Sequence, residues 1–239
     1  MLASLIIFAS AGTVALTGFG FNLVSVPLLT FLYPPRVVVT VTLLLGLFVS
    51  GLLLARPEIR QGADWGLVRP LFFSSLAGMP GGLLLLLWSE PKTLRMMIAS
   101  LTVLVAVSML IRLRPSFAGG RAGAVMTGVL SGLLSTSTGF NGAPVAFYLL
   151  GRSVPKDRFR GTSAVFVFLA TLSSVLLLTV SGAMTPSILK LGLAFAPSLL
   201  VGLGIGIAVA HRVSQQSFER LVLALLAAVG VLNFWGTAL

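Results

Sequence analysis

Two long stretches of this chain carry no charge, and each is interrupted by the same kinds of residue. No charged residue precedes Arg36, and none lies between Arg121 and Arg152. The first stretch holds Gly18-Phe19-Gly20-Phe21-Asn22, followed by Pro27. The second holds Ser137-Thr138-Gly139-Phe140-Asn141-Gly142, followed by Pro144. Glycine, asparagine and proline interrupt a helix at membrane depth. Broken backbone is tolerated there only where it lines a protected cavity. Two breaks at matching places in two halves point to a transport site.

Composition places the chain in a bilayer. It is 57% hydrophobic and 9% charged, with a mean hydropathy of +1.09, whereas soluble domains carry about 25% charged residues. At 239 residues it reads as one integral membrane domain. The net charge of +11 sits in short loops. There it sets orientation and meets anionic headgroups, so no nucleic-acid partner is expected. With no cysteine, disulfides and thiolate metal sites are excluded. The N-terminus has no basic n-region, and a cleaved signal peptide is not expected.

A helix needs about 20 apolar residues to cross the hydrocarbon core. Runs 37–55, 70–88, 96–111, 161–181, 187–210 and 218–238 fit, and 2–34 and 122–150 fit with a break. Turn signals such as Pro34-Pro35, Glu90-Pro91 and Thr185-Pro186 separate them. The order repeats: broken segment, short basic turn, three spans. The fold class expected is therefore an all-α polytopic membrane protein with two inverted repeats, 1–115 and 116–239. Each repeat is a broken or re-entrant helical hairpin followed by three transmembrane helices. With re-entrant hairpins, twelve of the 16 Lys+Arg share one side, and only Arg36, Lys92, Arg95 and Lys190 lie opposite. The positive-inside rule favours that arrangement over one in which every segment crosses. Either way both termini fall on the periplasmic side.

No carboxylate is expected at mid-membrane. Glu58, Asp64, Glu90, Asp157 and Glu219 all fall in loops or at span ends. That counts against a cation pump and a carboxylate proton relay. The single histidine, His211, reads as interfacial, so no metal site and no cofactor are expected. No residue set supports catalysis, and the chain does not read as an enzyme. What remains is backbone and small polar groups. A half-helix starting at a break offers unpaired N–H groups and the positive end of its dipole, which suit an anion. The expected substrate-binding residues are Gly18, Gly20, Asn22 and Ser25 in the first break and Ser137, Thr138, Gly139, Asn141 and Gly142 in the second. Pro27 and Pro144 are read as helix breakers. Thr40, Thr162 and Ser163 at the start of the next span are expected to complete the shell. Asn22 and Asn141, each closing a Gly-Phe-Asn triplet, are the most specific pair; the competing explanation is tight packing through small residues. Trp65, Trp88 and Trp235 read as interfacial anchors.

The chain resembles the TauE/SafE sulfite-exporter family of membrane proteins. The matching residues are Gly18-Phe19-Gly20 through Pro27, Thr138-Gly139-Phe140-Asn141-Gly142 through Pro144, and the step Gly161-Thr162-Ser163. The resemblance implies a secondary transporter, often an exporter, of sulfite, organosulfonates or related organic acids across the bacterial inner membrane. Family members carry a run of consecutive glycines in the second motif, where this chain has Gly139-Phe140-Asn141-Gly142-Ala143. The expected partners are a small anionic substrate and the lipid bilayer; a homodimer is compatible with this reading. The alternatives are a passive anion channel and a non-transporting membrane scaffold.

Overall fold

A computed structural model describes residues 1–17, 20–111 and 120–209. Every regular element in them is helical. In chain order these are α1 (Leu2–Thr17), α2 (Phe21–Leu29), α3 (Pro35–Leu54), α4 (Pro57–Gln61), α5 (Trp65–Trp88), α6 (Pro91–Leu110), α7 (Arg121–Thr138), α8 (Gly142–Gly151), α9 (Lys156–Val180) and α10 (Pro186–Val209). Helices α3, α5, α6, α9 and α10 are long and apolar enough to cross a membrane. The run 218–238, His211 and Trp235 lie outside the described residues.

Local chemistry sets the helix boundaries. Helices α3, α4, α6 and α10 each begin on a proline, whose missing N–H costs nothing in a first turn and whose φ is already helical. Asp64 caps α5 by accepting the Gly66 N–H at 2.9 Å. Gly182, at φ 75°, lets the chain leave α9, and Ala183 N–H returns to Leu178 O at 2.9 Å. Helices α5, α6 and α9 each start before the apolar run that marks them, carrying Arg69, Lys92, Arg95, Arg158 and Arg160 near their ends. Long basic side chains can reach outward from such positions. Trp65 and Trp88, both exposed, stand at the two ends of α5.

Packing then places the breaks. Helix α5 runs along α7, and α1 along α10. The first contact is backbone against backbone: a Cβ at Gly78, Gly82, Gly128 or Gly132 would run into the facing helix. Thr136 Oγ1 donates across this seam to Met79 O at 2.7 Å. A lipid-embedded interface gains from such close approach, because apolar side chains gain little by leaving lipid for protein. Gly202 likewise sits against the Phe8 backbone between α10 and α1. Helices α3 and α9 pack against each other. Phe48, Phe73, Leu104 and Leu193 point outward and are more than half exposed. That is a liability in water and the ordinary surface of a helix in lipid.

Candidate functional site

The interruptions fall at glycine, and both glycines adopt the left-handed conformation. Gly20 has φ 103° and precedes α2; Gly139 has φ 81° and follows α7. A side chain would cost about 1–2 kcal/mol in that region, so these positions call for glycine. The prolines do not make the breaks. Pro27 lies well inside α2, and Pro144 lies in the first turn of α8. Pro144 is tolerated because the first N–H groups of a helix have no partner one turn back.

The two breaks touch. Asn22 Nδ2 donates to Gly139 O at 2.9 Å, a buried bond between residues 117 apart in sequence. Asn141 Nδ2 donates instead to Thr171 Oγ1 of α9 at 2.8 Å. The Asn141 carbonyl accepts a short hydrogen bond from Ser131 Oγ of α7. Ser135 and Ser174 join α7 to α9 through their hydroxyls at 2.7 Å.

Beside these contacts is a cavity of about 40 Å³, counted as space open to the centre of a water molecule. One water needs roughly 10–15 Å³ on that measure, so several waters or a small oxyanion fit. Gly20 and Asn22 line it from the first break; Gly139, Asn141 and Gly142 line it from the second. Gly46 and Ser50 of α3 and Thr171 of α9 also face it, and among the described residues no ionisable side chain does. Phe21, Leu23 and Ala143 belong to the same wall. The N–H groups of Phe21, Asn22, Leu23, Gly142 and Ala143 belong to first turns, where no preceding turn accepts them. Neither Gly20 nor Asn141 supplies a side-chain cap. Two helix N-termini and two carboxamides thus converge on one small space of low charge. Such a space favours a negative ligand.

The other expected site residues lie elsewhere. Gly18 is outside the described residues. Ser25, Thr40, Ser137 and Thr138 spend their hydroxyls on the carbonyls of Phe21, Arg36, Leu133 and Leu134, each one turn back. This is the ordinary fate of a hydroxyl inside a helix. Thr162 Oγ1 accepts from Asp64 N–H at 3.0 Å, tying α9 to the loop before α5. Ser163 is buried, and its hydroxyl has no partner among the described residues. None of these six lines the cavity. Gly46, Ser50 and Thr171 do, and the sequence reading passed over them. A hydroxyl at mid-span in the helix after each break is the signal that would have found two of the three.

A family model described as sulfite exporter TauE/SafE matches residues 3–232, nearly the whole chain. The chain belongs to the TauE/SafE sulfite exporter family. No curated protein and no solved structure matches it. Membership makes it a multi-pass membrane transporter of sulfur-containing anions, with the bilayer as its surroundings, and not an enzyme. Among the described residues no cluster of His, Cys, Asp or Glu could hold a metal.

Proposed function

We propose that this TauE/SafE protein exports sulfite, an organosulfonate or a related small organic acid across the bacterial inner membrane, and that the anion rests in the cavity between the two glycine breaks. The observation that carries this reading is the Asn22–Gly139 bond. It holds two unpaired helix starts against one uncharged space. The site residues are Gly20, Asn22, Gly139, Asn141 and Gly142, with Ser50 and Thr171 as hydroxyl neighbours. The inside-negative membrane potential drives an anion outward, which makes export the downhill direction.

The two halves, 1–115 and 116–239, act as inverted repeats in this proposal, with both termini periplasmic. Two features support it. The same Gly-Phe-Asn triplet, with glycine in the same left-handed conformation, opens each half. The interhelical contacts are also reciprocal: the first helix of each half, α1 or α7, lies along a long helix of the other, α10 or α5. Rocking one half against the other would open the cavity to each side in turn.

The test is flux of labelled sulfite or a labelled sulfonate in proteoliposomes. Saturable flux is expected, and an Asn22→Ala/Asn141→Ala double variant that still folds is expected to lose it. Normal transport by that variant would defeat the site assignment. Unsaturable flux far above thousands per second would identify a channel, and absence of both flux and ligand stabilisation would identify a scaffold.

A further inference from the structure

One buried atom in the site is of the wrong kind for a bare anion. Asn22 is 8% exposed, and its Oδ1 has no hydrogen-bond partner among the described residues. The orientation of its carboxamide follows from its surroundings. Nδ2 lies 2.9 Å from Gly139 O, and turning the amide over would set two acceptor oxygens against each other. Oδ1 therefore faces away from Gly139. It faces Gly46 of α3: a Cβ built on Gly46 would stand 3.5 Å from Oδ1 and 3.8 Å from Nδ2. Gly46 has no such carbon, so no side chain at this position of α3 stands against this oxygen. Asn22 and Gly46 are both part of the cavity wall.

The site thus combines two demands. Helix N-termini and the Asn141 side of the cavity favour negative charge. Asn22 Oδ1 is a carboxamide oxygen, an acceptor only, and a buried acceptor left unmatched is costly. A dianion such as sulfate would lay an electron-rich oxygen against it. A monoanion with its own donor would satisfy both demands at once.

We propose that the site selects anions that carry a hydrogen-bond donor beside the negative group, and that Asn22 Oδ1, on the side where Gly46 presents no side chain, is the acceptor that reads it. This rests on the cavity being the transport site. For an inorganic oxyanion the selected species is the singly protonated form, such as hydrogen sulfite. For an organosulfonate it is one with a hydroxyl or ammonium close to the sulfonate. Ser50, which also faces the cavity, directs its hydroxyl to Gly46 O at 2.7 Å and leaves Oδ1 to the ligand.

The experiment compares 2-hydroxyethanesulfonate with ethanesulfonate, two monoanions that differ by one hydroxyl. Each is titrated into the purified full-length protein by calorimetry, with sulfite alongside. The hydroxylated anion is expected to bind roughly tenfold or more tightly, the scale set by leaving a buried acceptor unpaired. Gly46→Ala sets a Cβ beside Oδ1 at ordinary contact distance and replaces a mid-helix glycine with the best helix former. It is expected to fold at least as well and to bring the ratio close to one. Asn22→Leu, which removes Oδ1, is expected to do the same in any fraction that folds. Equal binding of the two sulfonates by the unaltered protein would mean that a trapped water or cation satisfies Oδ1, and would overturn this proposal while leaving the site intact. A preserved preference in Gly46→Ala would also overturn it. If neither sulfonate nor sulfite binds, the transport site itself falls, and this inference with it.

Discussion

The two Gly-Phe-Asn segments share a sequence and a left-handed glycine but not a set of partners. In each, a left-handed glycine separates two helices. Yet Asn22 reaches across to the other break and holds Gly139 O, while Asn141 holds Thr171 of α9. The hydroxyls on the following helices differ in the same sense. Thr171 receives a carboxamide, whereas Ser50 bonds to the carbonyl of its own helix. The comparison teaches that identical local chemistry can yield one clasp and one anchor. The clasp joins the two breaks, and Oδ1 of the clasping asparagine is buried at the site without a partner among the described residues.

That contrast can be broken at graded cost. Gly139→Ala should be the most damaging single change. It places a Cβ at φ 81°, 3.3 Å from Asn22 Nδ2, so conformational strain of about 1–2 kcal/mol adds to a displaced clasp. A marked fall in melting temperature in detergent, together with loss of sulfite flux, is the expected result. Asn22→Ala comes next. It removes the inter-break bond and leaves Gly139 O buried and unpaired; interhelical bonds in membrane proteins average about 0.6 kcal/mol and reach about 1.7. Its flux should fall by more than tenfold, well beyond what the stability change alone predicts. Thr171→Val should destabilise by a similar bond energy, since Asn141 Nδ2 loses its acceptor, but should leave Asn22 clasped and so cost less flux. Ser50→Ala should matter least to stability, because it deletes only a bond within α3; its melting temperature should stay within a degree or two of the parent. A reversed order, with Ser50→Ala more damaging than Thr171→Val, would show that Ser50 and not Thr171 holds a partner beyond its own helix.

Much of this is legible in the sequence. The five long spans were visible because a bilayer imposes length and apolarity on each helix separately. The glycines of the breaks were visible because a positive φ is a local demand that glycine meets without strain. Ser25, Thr40, Ser137 and Thr138 read as ligands because hydroxyls near a break look available. Each in fact had a carbonyl one turn back in its own helix, a competitor always within reach. Pro27 was read as a breaker and lies inside α2. The short helix α4 left no periodic signal, since five residues make little more than one turn.

By itself the sequence determined the solvent, the five long spans among the described residues, the two interruptions and the uncharged character of the space they border. Those properties depend on neighbouring residues and on the thickness of the hydrocarbon core. Tertiary structure alone decided that Asn22 would meet Gly139, that Thr171 and not Ser50 would take a carboxamide, and that Gly46 would face a buried oxygen. Such pairings join residues from separate helices, and their distances follow from how closely glycine-bearing helices such as α5 and α7 can approach. No period or propensity within a single segment carries that information.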